Sequence, residues 1–254
     1  MKTKHDLILG DCLEELKKLP ENSIDLVFAD PPYNMSKNKG LGWKYSKHIT
    51  MQESWDIFSK DQFLDFNMEW LSQCMRVLKH GGSLWVCGSF HNIYQLGFLL
   101  QHLDAKINNS VVWFKPNAQP NITCRMFTES TEHLIWAVKN HSKTKWTFNY
   151  QDTKNKIEDR INSKGKQTRN VWAISLTPKE EKWAGEHPTQ KPIELLRRII
   201  LSCTKEGETV LDPFVGSGTT SIVAKTLGRN SIGIDKEKKY LDIAKKRLSQ
   251  ATLN

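Results

Sequence analysis

No apolar run in the chain approaches the roughly 18 residues needed to cross a membrane as a helix. The stretch from Met1 to Asp6 lacks the apolar centre of an export signal. Neither a membrane protein nor a secreted one is expected, and the cytoplasm is the expected compartment. Cysteine is scarce and unpatterned: Cys12, Cys74, Cys87, Cys124 and Cys203 are odd in number, with no CxxC pair and no histidine cluster beside them. A disulfide framework and a structural zinc are therefore not expected. Acidic residues fall short of basic ones, 28 against 37, giving a formal charge of +9. That excess suits a polyanionic partner without establishing one. Repeats and low-complexity tracts are absent. A chain of 254 residues is long enough to bury about 70 to 75% of its unfolded surface, so one domain spanning residues 1–254 is expected.

Two nucleotide-binding signatures are also missing. The segment Gly216-Ser217-Gly218-Thr219-Thr220-Ser221 has Ser221 where a dinucleotide GxGxxG motif needs its third glycine, which disfavours hydride transfer. Thr219 follows Gly218 where a triphosphate-binding loop needs lysine, which disfavours a triphosphate cradle.

What is present is organised around Asp30-Pro31-Pro32-Tyr33. The run Ile24 to Ala29 is short, β-branched and aromatic, and two prolines stop it at once, so it reads as a buried strand entering a loop. Ligands of open α/β sheets bind beyond the carboxyl ends of strands. Proline removes backbone donors and leaves carbonyls free, so an Asp carboxylate and a neighbouring carbonyl can accept both hydrogens of an amino group while a tyrosine ring stacks on its heterocycle. Taken alone, the tetrapeptide reads first as a strand-ending turn.

A second motif shifts that balance. Glu208 to Leu211 reads as a strand running into Asp212-Pro213-Phe214-Val215-Gly216-Ser217-Gly218, and helical spacing resumes from Ser221 to Leu227. In a strand, glycine loop and helix, glycine permits close backbone approach and helix N–H groups face the ligand. The strand Ser231 to Ile234 then ends at Asp235, where such folds place an acid on ribose hydroxyls. S-adenosyl-L-methionine is the ligand this combination favours.

The rest of the chain alternates strands with helices, which predicts a mostly parallel α/β sheet. Strands are expected at Leu7–Leu9, Ser83–Cys87, Ser110–Phe114 and His133–Val138, and helices at Leu13–Leu19, Phe58–Leu78 and Asn92–His102, with Lys79-His80-Gly81-Gly82 as a helix stop. Asp11 reads as an N-cap at least as well as a ligand. Residues 34–58 are polar and basic with interleaved aromatics, and read as a mobile loop beside the site. Residues 139–186 are lysine-rich, with Trp146, Phe148, Tyr150, Trp172 and Trp183 spread through them; target recognition and a plain surface insertion are the two readings.

Asp30-Pro31-Pro32-Tyr33, the Asp212 to Thr220 loop and His187-Pro188-Thr189-Gln190-Lys191-Pro192 together resemble the DNA amino-methyltransferase family. The order, catalytic tetrapeptide first and cofactor loop near the C-terminus, resembles the β class, with a Rossmann-like methyltransferase fold of a twisted sheet and helices on both faces. Asn117 to Asn140 and Trp172 to Lys191 are similar to the DpnA-type adenine methylases of GATC restriction systems, which accept single-stranded DNA. The resemblance implies that Asp30 and the Pro31 carbonyl hold the target amine, that Pro32 shapes the loop and that Tyr33 stacks on an extruded or single-stranded base. It implies that Asp212, Phe214, Gly216, Ser217, Gly218 and Thr219 serve the cofactor's methionyl part, Asp235 its ribose, and Asp11 with Cys12 its adenine edge. His187, Thr189 and Lys191 would close over its carboxylate side, with Asp30 touching its methionine end. Leading with Asp favours adenine N6 over cytosine N4, and no metal is required. N4-cytosine methylation and a catalytically silent nucleic-acid-binding subunit are the alternatives. The resemblance admits a homodimer and a cognate restriction endonuclease as partners beside DNA.

Overall fold

The computed structural model describes residues 3–35, 56–121, 124–139, 145–158 and 166–251. Most of the loop predicted at 34–58, and parts of the insertion predicted at 139–186, lie outside the described residues.

The chain runs β1 (His5–Leu9), α1 (Cys12–Lys18), β2 (Ile24–Ala29), α2 (Lys60–Val77), β3 (Leu78–Gly88), α3 (Ile93–His102), β4 (Lys106–Phe114) and β5 (Thr131–Val138). It continues through α4 (Tyr150–Lys156), β6 (Val171–Ala173), α5 (Ile193–Cys203), β7 (Thr209–Asp212), α6 (Thr219–Thr226), β8 (Asn230–Asp235) and α7 (Lys238–Gln250). The strands form one sheet in the order β1-β8-β7-β2-β3-β5-β4-β6. β1, β8, β7, β2 and β3 are mutually parallel, whereas β5 runs antiparallel to both β3 and β4. The mostly parallel sheet is as predicted.

From Leu26 to Ala29 β2 is buried on both sides, which is why that part of its sequence is continuously apolar rather than alternating. Ile24, Val27 and Ala29 join Leu16, Trp70 and Leu96 in the layer under α1, α2 and α3. Leu26 and Phe28 join Leu195, Ile199 and Val223 in the layer under α5 and α6. On that second face Trp85 stacks parallel to Trp136 at 5.6 Å, and Phe148 stacks on Trp136 at 5.5 Å. Trp172 is buried against Trp85, and Trp146 also packs on this layer. Trp146 and Trp172 of the 139–186 stretch therefore extend the core, and the exposed Phe148 covers its edge.

The predicted stop at Lys79 to Gly82 needs correction. α2 does end at Val77, but the four residues belong to β3, where the register with β2 shifts between Ile24↔Leu78 and Leu26↔Ser83. Gly81 takes φ 77°, a turn value that lets the strand bulge rather than break. α4 and the three-residue β6 lie in the stretch where no regular structure was predicted. Three residues carry too little periodicity to be read.

Candidate active site

The register of the sheet builds the site. β2 lies beside β7 with Leu26↔Val210 and Val27↔Leu211 paired, so the loops leaving the two strands open side by side at the same edge. Asp30 to Tyr33 and Pro213 to Phe214 consequently share one cavity of about 490 Å³, within the usual 300–1,000 Å³ of small-ligand sites. Its wall also includes Asp11, Cys12, His187, Thr189, Lys191 and Asp235. Most of the residues singled out in the sequence are thereby brought together.

Asp30 is the polar centre of the wall. Its Oδ1 accepts the Tyr33 hydroxyl at 2.7 Å and its Oδ2 accepts the Lys191 ammonium at 2.5 Å. Burial holds its carboxyl above the usual carboxylate range, against the Lys191 charge that opposes the shift. The facing carboxylates hold Lys191 protonated well beyond an ordinary lysine in spite of its burial. The Lys191 ammonium is therefore the main group favouring the ionised form of Asp30. A carboxylate offers about four acceptor positions, so both oxygens keep capacity for a further donor. Burial pushes the Tyr33 phenol up, so it is a neutral donor. Lys191 Nζ also lies 5.6 Å from the centre of the Tyr33 ring.

On the β7 side, Phe214 packs edge-on against Trp70 at 5.4 Å, so its ring is fixed from beneath. Gly216 has φ 49°, and a side chain there would stand 3.0 Å from His187 Nε2. This is a close approach that requires glycine. Thr189 N–H donates to His187 Nδ1 at 3.2 Å, which leaves the proton of the neutral imidazole on Nε2. Asp235 accepts the N–H groups of Gly216 at 2.9 Å and Glu237 at 2.8 Å, tying the glycine loop to the start of α7. Burial raises its pKa. Asp11 caps α1 by accepting Leu13 N–H at 2.9 Å while facing the cavity, so the N-cap role is observed. Burial pushes the Cys12 thiol up to about 12, so it is a neutral wall group.

Five predicted residues take different positions. Asp212, Gly216, Ser217 and Thr219 are buried and border only a small cavity of about 30 Å³ under the loop, and Gly218 borders neither cavity. Asp212 accepts Phe214 N–H at 2.9 Å and the Thr220 hydroxyl at 2.5 Å, and burial pushes its carboxyl up to about 7. Arg247 donates to the Ser217 carbonyl and to both the Ser217 and Thr219 hydroxyls, and the Thr219 hydroxyl donates to the Lys191 carbonyl. These side chains hold the loop and the Lys191 segment in place.

Sequence reasoning missed Cys87, Lys115 and Glu132. Glu132 is paired with Lys115 at 3.3 Å and Lys191 at 3.6 Å, and Cys87 Sγ lies 3.5 Å from its carboxylate. The available signal was one carboxylate two residues ahead of the apolar run Leu134–Val138. The ends of the 34–58 stretch are joined: Asp56 accepts the N–H groups of Asn34 and Met35, and Asn34 accepts that of Phe58.

A carboxylate, an aromatic donor and proline carbonyls at one strand end, beside a glycine loop at the next, define an α/β site for group transfer to a planar amine. Residues 24–246 match the N6/N4 family model described as DNA methylase, and the chain belongs to this family of DNA methylases. It is 48% identical over 249 residues to the Type II methyltransferase M2.DpnII of Streptococcus pneumoniae, covering 97% of this chain and 90% of that one. It is 43% identical over 258 residues to the Type II methyltransferase M.HinfI of Haemophilus influenzae, covering 98% and 69%. Among solved structures, the complex of M1.HpyAVI with SAM superposes with a TM-score of 0.70 at 28% identity, covering 96% of this chain and 98% of that one. Among the described residues no helix is long and apolar enough to cross a membrane.

Proposed function

We propose that this chain transfers a methyl group from S-adenosyl-L-methionine to the N6 amino group of an adenine in DNA, as the modification enzyme of a Type II restriction–modification pair. The observation that carries the reading is the adjacency of Asp30 to Pro213 and Phe214 across the β2–β7 pair. The residues fit the cofactor: a cavity of sufficient volume, a fixed aromatic wall at Phe214 and a carboxylate at Asp235. Asp11 and Cys12 face the same space for the adenine edge, and His187 and Thr189 face the methionine end.

S-adenosyl-L-methionine supplies a methyl already activated by its positive sulfur. The protein has to position and desolvate the amine. The N6 lone pair is delocalised into the purine ring. Asp30 and the Pro31 carbonyl accept the two N6 hydrogens, which favours a pyramidal nitrogen and localises the lone pair, while Tyr33 stacks on the base. With the cofactor bound, it would supply the methyl to this nitrogen and keep the sulfur–carbon electron pair, and the displaced N6 proton would pass to solvent by way of the Asp30 carboxylate. A paired base cannot reach Asp30, so the adenine is extruded or single-stranded, at about a few kcal/mol of unstacking.

Target recognition belongs in this reading to residues 139–186. A homodimer, a cognate endonuclease and a cytoplasmic location complete it. The test is transfer from labelled S-adenosyl-L-methionine to single-stranded DNA, duplex DNA and RNA, with nucleoside analysis of the product and Asp30→Ala as control. N6-methyladenine in DNA that is lost in Asp30→Ala is the expected result. N4-methylcytosine would move the assignment to cytosine, and cofactor binding without transfer to any of the three would overturn it.

A further inference from the structure

Glu132 stands at the start of β5, opposite Trp113 in the sheet, and the strand that follows it is buried from Leu134 to Val138. A carboxylate in that position is costly unless it is paired. It is paired twice. Oε1 faces Lys115 at 3.3 Å, and Oε2 faces Lys191 at 3.6 Å, the Tyr33 hydroxyl at 3.4 Å and Cys87 Sγ at 3.5 Å. Tyr33 has one hydroxyl proton, and the 2.7 Å distance assigns it to Asp30 Oδ1. Burial keeps the Cys87 thiol protonated, so it donates to Glu132. The chain Lys115–Glu132–Lys191–Asp30 alternates in sign and balances to zero, with side chains between 8% and 16% exposed.

Stability alone is a weak reason for such a cluster, because buried ion pairs are often replaceable by apolar groups without loss. Its geometry gives another reason. Lys191 approaches one oxygen of Asp30 and Tyr33 the other, and Glu132 is the one described carboxylate besides Asp30 that contacts both of them.

We propose that Glu132 is a positioning residue for methyl transfer: bridging Lys115 and Lys191, it holds the Lys191 ammonium against Asp30, the group that receives the amine. The proposal rests on the function proposed above. The two neighbouring lysines hold the Glu132 carboxyl below the ordinary glutamate range against its burial, so it is anionic wherever the enzyme is folded near neutrality. The groups facing Asp30 are Tyr33 on its own loop, Cys87 from β3, Glu132 from β5, Lys191 before α5 and Asp212 from β7, with Lys115 behind Glu132. Of these, Glu132 is a negative charge whose removal makes Asp30 easier to ionise.

The experiment compares the full-length parent with Glu132→Gln and with the Glu132→Gln, Lys115→Gln double variant, which leaves neither charge unpaired. The readouts are kcat, KM for DNA and the pH dependence of kcat at saturating cofactor. Glu132→Gln is expected to lower kcat by about 10-fold or more with KM for DNA within about 3-fold, and to move the acid limb to lower pH. The double variant is expected to melt near the parent and still turn over slowly, which covers the case in which the single variant does not fold. Parental kcat and acid limb in the double variant would overturn the proposal, since the cluster would then only balance charge. A parent that methylates no DNA would overturn the underlying function as well, and this is distinguishable from an active parent with indifferent variants.

Discussion

Replacing Lys191 by methionine keeps the apolar stem and removes the ammonium that faces two buried carboxylates. The side chains concerned are 8% exposed for Lys191, 15% for Asp30 and 16% for Glu132, so water replaces little of the lost interaction. Removing one partner of a buried pair costs about 3–5 kcal/mol. Glu132 retains Lys115 at 3.3 Å, so the penalty falls mainly on Asp30, which keeps only the Tyr33 hydroxyl. For a domain of this size the cost corresponds to roughly 6–20 °C in Tm. The sign with pH follows from the direction of the shifts. Asp30 is already raised by burial, and Lys191 is the group that opposes that shift. Without it the folded carboxyl rises further above its unfolded value, so the variant loses stability as pH climbs out of the ordinary carboxylate range. The gap between parent and Lys191→Met is therefore expected to widen from pH 5 to pH 8 in thermal melts. A gap under about 2 °C, or one of equal size at both pH values, would refute the ionic description of the site.

Gly218 has φ 83°, and a methyl there would meet the Ala244 side chain at 2.7 Å. Gly218→Ala is expected to cost about 1–3 kcal/mol, and an unchanged melting temperature would contradict the packing of the loop on α7. Asp212, pushed up to about 7 by burial, contributes stability that is present below its unfolded pKa and lost as pH rises toward 7. Asp212→Asn lacks that loss, so its Tm relative to the parent should improve from pH 5 to pH 8, and a constant difference would show that Asp212 is ionised throughout. Phe127 is 100% exposed beside Met126, which lines the cavity, a position suited to fill the gap left by an extruded base. Phe127→Ala is expected to leave Tm unchanged within about 2 °C while lowering kcat/KM more on duplex than on single-stranded DNA. Equal losses on the two substrates would refute that role.

The local grammar of the chain was enough to find most elements. β2 is bounded as read, from Ile24 to Ala29, because two prolines and a polar turn enclose an apolar run. α2 was legible from its spacing, and its start is fixed by the Ser59–Gln62 capping box. The failures have physical causes. Lys79 to Gly82 carry stop signals that also suit a bulge, and only pairing with β2 selects the strand. Trp146 and Trp172 sit in polar sequence, and only packing on the layer that holds Trp85 and Trp136 turns them inward.

The sequence by itself determined that Asp30-Pro31-Pro32-Tyr33 and the Phe214–Gly218 loop would each close a strand, because proline and glycine act on the backbone within a few residues. Only the tertiary structure decided that these two strand ends adjoin, and that Lys115, Glu132 and Lys191 converge on Asp30 from three further segments. Strand order is set by which faces bury together, and that is a property of residues far apart in the chain.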